Sequence, residues 1–168
     1  KIGKKLMRMA FLLLCMVGIL NSKPMIMEAE ATEATILDNG TDGALEWSID
    51  TNGHLTITGT GDYEKRTYDS TTGWLAYKDE IKSATVNVTG ITDTSCMFCG
   101  CSNLESVNLN GLDTSNVTDM NSMFYGCSGL TSLDVSGLDT SKVTDMSFMF
   151  NGCSGLTSLG VSGLETSK

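Results

Sequence analysis

Residues 122–146 read SMFYGCSGLTSLDVSGLDTSKVTDM. The Met123-Phe124 pair in this stretch stands 26 residues after Met97-Phe98 and 26 before Met149-Phe150. Gly-Cys-Ser and Thr-Asp-Met return at the same interval. Three units align without gaps: 97–122, 123–148 and 149–168, the last incomplete. The first two agree at 16 of 26 positions and the last two at 17 of the 20 available. ITDTSC at 91–96 matches the ends of the following units, so it is the tail of a degenerate earlier one. Self-similarity at a period of roughly 20 to 50 residues is the signature of a solenoid or array.

Each unit carries two apolar rhythms. Leu130, Leu133 and Val135 follow L-x-x-L-x-V, with Leu138 three further on; this predicts a short strand with its apolar side chains inward. Met146, Met149 and Phe150 fall at i, i+3, i+4, the stripe of a short helix. Thr144 or Asp145 can cap its start, and Gly152 can end it in a left-handed conformation. The expected fold is therefore a β-rich α/β solenoid, a parallel sheet of stacked strands with short helices on the other side. Val86, Val107, Leu133 and Leu159 are expected to pair as successive inward positions.

Ahead of the repeats, residues 32–90 form a β-rich capping region. Thr32–Gly43 reads as a linker or first strand. Leu45, Trp47 and Ile49 alternate, as do Leu55 and Ile57, with Asn52-Gly53 between them. That pattern predicts a β-hairpin with a tight primed turn. Trp74, Tyr77 and Ile81 lie on one face of a predicted short helix, and Ala84–Val88 reads as a strand.

The N-terminus has a basic start (Lys1, Lys4, Lys5, Arg8), an apolar run from Met9 to Leu20 and a small-residue site at Ala29-Glu30-Ala31. These are the parts of a secretory signal over 1–31, and the run is short for a membrane span. An uncleaved anchor is the alternative. Cys15 follows three leucines, which does not suit a lipoprotein site. The sequence does not begin with Met and stops at Lys168 within a repeat, so an N-terminal fragment of a longer protein is expected. Cleavage after Ala31 leaves six basic against eighteen acidic residues, a net charge of −12. Such a surface repels phosphate backbones and anionic lipid. No nucleic-acid partner is expected, and contact with a membrane only through the signal segment or an unseen anchor.

The run G-L-D-T-S-x-V-T-D-M-x-x-M-F-x-G-C-S resembles the repeat of the BspA-type leucine-rich-repeat surface proteins of bacteria, found also in some protozoan parasites. The preceding L-x-W-S-I-D-x-N-G-H-L-T-I-T-G-T-G-D-Y is similar to the segment that often precedes those repeats. The resemblance covers Leu45 to the end. It implies a secreted or surface-displayed bacterial solenoid whose members are linked to adhesion. It brings no catalytic residues with it.

Several residues invite sharper readings. Cys101, Cys127 and Cys153 recur with the repeat and are expected to stack as a reduced, buried ladder at a tight interior corner. Cys96, Cys99 and Cys101 form C-x-x-C-x-C, which lacks the ligand count and the histidine of a zinc site. A Cys96–Cys99 disulfide is the better reading in an oxidising exterior. Cys99 occupies the slot of Tyr125 and Asn151, expected to be exposed and, if unpaired, to react fastest with a thiol reagent, ahead of Cys153. The recurring Asp113, Asp139, Glu165, Asp119 and Asp145 could line a calcium ladder. They could instead bind nearby backbone N–H groups at turns, and the glycine-rich calcium-binding nonapeptide is absent. His54, the sole histidine, has no nucleophile at a recognisable spacing.

The outward face of the repeat sheet should present Glu105, Asn108 and Asn110, then Thr131, Asp134 and Ser136, then Thr157, Gly160 and Ser162. These side chains are small and polar, without the Trp, Tyr and Arg that dominate protein hot spots. A binding or adhesion module for an extracellular protein, a glycan or another cell is the first expectation. A structural spacer that displays a distal domain is the alternative. No cofactor or metal is expected, nor an enzyme.

Overall fold

The computed structural model describes residues 34–164, so the expected signal segment 1–31 and Glu165 lie outside the described residues. Five strands form one sheet in chain order: β1 (Ile36–Asp42), β2 (Leu45–Asp50), β3 (His54–Thr60), β4 (Ser83–Thr89) and β5 (Ser106–Leu112). A second sheet holds β6 (Ser132–Asp134) and β7 (Ser158–Gly160). The first three strands are antiparallel, and from β3 onward the pairing is parallel. The segment 32–43, read as a linker or strand, supplies β1.

Leu45, Trp47 and Ile49 of β2 are buried on one face, as alternation requires. The hairpin forms, but not through a primed turn. Only Gly53 there has a positive φ, of 82°. Its N–H donates to the Asp50 carbonyl at 3.1 Å. The Asp50 carboxylate accepts from the N–H groups of Asn52 at 2.8 Å and His54 at 2.9 Å. That side chain stabilises a longer loop closed by one left-handed glycine. The predicted helix at 74–81 is a shorter 3-10 helix, Gly73–Tyr77, with Trp74 and Leu75 buried.

The cap and the repeats share one sheet. β3 pairs with β4 from His54↔Ser83 to Thr60↔Thr89, so the second hairpin strand is already the first rung. The expected pairing of Val86 with Val107 does not occur: Ala84 pairs with Val107. The register shifts between Thr85 and Asn87, where β5 carries one extra residue from Asn108 to Gly111. A bulge bends and twists its strand. β5 is not laddered to β6, while Leu133 pairs with Leu159 in the second sheet. The four inward positions thus do not form one run, although Leu133 is buried.

The expected helices behind the sheet are absent; stacked turns replace them. Cys96, Ser122 and Phe148, equivalent positions of successive units, have φ of 56°, 56° and 58°. A left-handed residue there costs roughly 1–2 kcal/mol and breaks a right-handed helix. Beyond it the N–H groups alternate in direction. Those of Met97, Cys99 and Cys101 close turns on Thr94, Cys96 and Phe98. Those of Thr94, Cys96, Phe98 and Gly100 cross to the carbonyls of Asp119, Asn121, Met123 and Tyr125, at 2.7–3.0 Å. The next arc repeats this: Met120, Ser122, Phe124 and Gly126 donate to Asp145, Ser147, Met149 and Asn151. A helix would satisfy these groups within itself; here half of them need the neighbouring rung.

Stacked rungs superpose like on like. Phe98, Phe124 and Phe150 stack with centroids 5.5 and 6.0 Å apart and planes within 10°. Met97, Met120 and Met123 are fully buried around them. Cys101 and Cys127 are buried and Cys153 half-buried. The Cys127 and Cys153 thiols donate across rungs to the carbonyls of Phe98 and Phe124, each at 3.1 Å.

The N-terminal region closes the first arc with side chains. The Tyr63 hydroxyl donates to the Ser95 carbonyl at 2.6 Å, and the Trp74 indole N–H to Met97 at 2.8 Å. Asp62 accepts from the N–H of Thr92 at 2.6 Å and of Asp93 at 3.2 Å. Tyr63 and Trp74 therefore stand where a preceding rung would place its N–H groups. The Arg66 guanidinium lies 3.8 Å from the Trp74 ring centroid and pairs with the buried Asp42 carboxylate.

Leu133→Ala is expected to cost about 2 kcal/mol, the low end of the cavity range because β6 is short. Asp134→Ala, one residue along and exposed, should cost little. Equal shifts in urea melts would contradict this strand register.

Candidate functional site

The alternation that buries Leu45, Ile57, Ala84 and Val86 turns small polar side chains to the uncovered face of the sheet. Registered pairing lines them up across strands. Asn39, Ser48, Thr56, Thr85 and Asn108 form one row over all five strands. Thr41, Glu46, Thr58 and Asn87 form the next. Asn39, Thr41, Glu46, Ser48, Thr56 and Thr58 line a depression of about 420 Å³ over the hairpin. His54 sits on the same face. Its Nδ1 is 2.7 Å from the Ser83 hydroxyl and its Nε2 3.2 Å from that of Thr85. Both ring nitrogens thus face hydroxyls, and among the described residues no carboxylate orients the ring as a hydrolytic triad requires.

The break between β5 and β6 opens a second cleft, of about 500 Å³. Asn108, Asn110, Asp134 and Ser136 line it together with apolar Val107, Leu109 and Leu138. The structure therefore gathers four of the predicted face residues in one cleft. Glu105, Thr131, Thr157 and Ser162 are exposed outside it, and Gly160 is half-buried. The Asn108 side-chain oxygen accepts the Asn110 N–H at 3.0 Å, and Asp134 accepts the Ser136 N–H at 2.9 Å. These bonds fix the oxygens and leave the Asn amide N–H groups available as donors.

The recurring aspartates make the same local bond. Asp113, Asp139 and Asp145 accept from the N–H groups of Ser115, Ser141 and Ser147 at 3.0, 2.9 and 2.7 Å. The serine hydroxyls and these N–H groups hold the carboxyls of Asp113, Asp134, Asp139 and Asp145 below the usual range. Their folded pKa lies under the unfolded value of about 3.9. The stabilisation is therefore present above that value and is lost as pH falls through the folded pKa. The urea midpoint should drop on acidification through this window; an unchanged midpoint would contradict the aspartate turns. Among the described residues, no group of three or more His, Cys, Asp or Glu side chains is placed to hold a metal ion. Nor is any helix there long and apolar enough to cross a membrane.

Cys99 corrects an expectation. It is buried, not exposed, and its thiol donates to the Ser122 carbonyl at 3.2 Å. Cys153, half-buried, is the most accessible of the five described thiols. The expected order of labelling therefore changes, with Cys153 ahead of Cys99. Sequence reasoning also missed the cap's share of the polar face. Alternation in β1–β3 marks those residues, but nothing in their sequence ties the hairpin's sheet to that of the repeats.

Rungs stacked through two successive sheets and one aromatic column define a β-solenoid repeat protein with an uncovered polar face. The chain belongs to the family described as Mycoplasma protein of unknown function, DUF285, whose profile matches residues 68–167. No curated protein matches it. A crystal structure of a leucine-rich repeat protein from Eubacterium ventriosum is similar, with 21% identity and a TM-score of 0.34. The match covers 73% of this chain and 28% of that one, so this chain spans under a third of that protein's length.

Proposed function

We propose that this chain is part of a secreted or cell-surface protein of the BspA-type leucine-rich-repeat class and serves as a binding or adhesion module. Its partner is an extracellular protein or glycan, on its own or on another cell, and no catalysis is involved. The observation that carries the reading is the cleft between β5 and β6. There Asn108, Asn110, Asp134 and Ser136 face apolar side chains at the end of a continuous polar row. Fixed amide donors and acceptors beside apolar surface suit hydroxyl-rich or peptide ligands.

A second reading rests on the same face. Its predicted contact residues include no Trp, Tyr or Arg, the residues that dominate hot spots; a spacer displaying a distal domain needs none. Binding to arrays of immobilised matrix proteins and glycans separates the two. The module reading expects a retained partner whose signal falls in an Asn108→Ala/Asp134→Ala double variant with an unchanged melting curve. Retention insensitive to both substitutions, or none on any array, would favour the spacer.

A further inference from the structure

We propose that Cys96 and Cys99 form a dithiol redox site for low-molecular-weight disulfides, with Cys96 as the attacking sulfur and Cys99 as the resolving one. The pair departs from the repeat. Ser122 and Phe148 stand in the place of Cys96, and Tyr125 and Asn151 in that of Cys99. The stacking that explains Cys101, Cys127 and Cys153 therefore does not explain these two.

Backbone geometry brings the two residues together. The Cys99 N–H donates to the Cys96 carbonyl at 3.2 Å, closing a turn. Such a turn holds its end Cα atoms within about 7 Å, and a disulfide spans about 4.4–6.8 Å. The Cys99 thiol itself donates to the Ser122 carbonyl at 3.2 Å, and the two thiols lie near enough to perturb each other's titration. They differ in access. Cys96 lines a cleft of about 290 Å³ between the 65–68 loop and Asn121-Ser122. Cys99 does not line it and is 1% exposed. A small reagent in the cleft meets Cys96 first.

The surrounding charges favour the same division. The neighbouring Cys99 holds the Cys96 thiol below its ordinary value, helped by Arg66, although burial, Asp93 and Asp119 oppose. The neighbouring Cys96, with burial, pushes the Cys99 thiol strongly up. Arg66 lines the cleft and is 3% exposed. Its Nε and Nη1 groups have no hydrogen-bond partner among the described residues. Lys65 and Asp145 also line the cleft. A lowered thiolate beside a protonated partner is the arrangement of a reactive dithiol.

The reaction balances in two steps. The Cys96 thiolate attacks one sulfur of the small disulfide, whose S–S bond breaks and expels one thiolate, leaving a mixed disulfide on Cys96. Cys99 then gives up its proton and attacks the Cys96 sulfur, expelling the second thiolate. The protein loses two electrons and two protons; the small disulfide gains them and leaves as two thiols.

The test exposes the folded chain to hydroxyethyl disulfide, quenches with an alkylating reagent and maps the cysteines by mass spectrometry. The wild type should form a Cys96–Cys99 disulfide while Cys101 and Cys127 alkylate only after denaturation. Cys99→Ser should stop at the mixed disulfide on Cys96, formed about tenfold or more faster than any adduct on Cys127. Cys96→Ser should leave Cys99 unreacted. Should either variant fail to fold, the wild-type map decides alone. Cys96 and Cys99 both recovered as free thiols, under conditions where Cys153 has reacted, would overturn the proposal. So would an adduct on Cys99 in the Cys96→Ser variant.

Discussion

Phe124→Ala should lower stability by about 3–5 kcal/mol, the range for emptying a buried aromatic site. Phe124 is fully buried, with Phe98 on one side and Phe150 on the other. The rungs cannot close the gap, because their separation is set by the bonds from Phe98 N–H to Met123 and from Phe124 N–H to Met149. The natural control is Phe148, which is 64% exposed and holds a left-handed backbone. Phe148→Gly gives up only the smaller, buried share of the ring, beside Met149 and Phe150, and relieves that conformation, so its effect should stay within about 1 kcal/mol of neutral. Urea melts of the two variants decide. Similar losses from both would mean that the aromatic stack does not hold the rungs together.

Removing the Asp42 carboxylate should cost about as much, 3–5 kcal/mol, because it strands a buried cation. Asp42 is the partner of Arg66, and both are nearly inaccessible. Burial already lowers the Arg66 pKa against the opposing pull of Asp42. Asp42 also accepts the Glu64 N–H at 2.9 Å, which anchors the loop bearing Tyr63 and Arg66. Asp42→Ala is therefore expected to loosen the cap as well as the pair. Combining Asp42→Leu with Arg66→Met should recover much of the loss, since an apolar pair needs no neutralising partner. A double variant as unstable as Asp42→Ala alone would show that the Glu64 bond, not the charge, carries the effect.

What the sequence revealed and what it concealed divide along physical lines. The period exposed the rungs, since superposed side chains must match: Phe over Phe and Cys over Cys are readable as letters. Alternation exposed β2, β3 and β4 for the same reason, one face being buried. The helical reading failed at Met146, Met149 and Phe150. A spacing of three and four also fits successive turns, and the left-handed backbone falls on Cys96, Ser122 and Phe148, none of which is a residue that announces it. The register of β3 to β5 was hidden as well. His54 pairs with Ser83 and Ser83 with Ser106, intervals of 29 and 23 that share no motif. For the candidate site, alternation marked Asn108 and Asp134 as outward. The cleft between them depends on the β5 bulge, which no single residue type signals.

The alternating bonds of the turn arcs make each rung directional. Forward it offers N–H groups at every second residue, and backward carbonyls at the residues between; Tyr63 and Trp74 plug the rearmost carbonyls. The turn arcs of the repeat units therefore present matching edges to one another. Cutting out one unit, or copying it in place, leaves a seam with the same complementary edges and the same aromatic column. Gain or loss of whole units can thus lengthen or shorten such a molecule in steps of one rung, with the plug and the polar row over the first strands left untouched. Reach becomes adjustable independently of foldability.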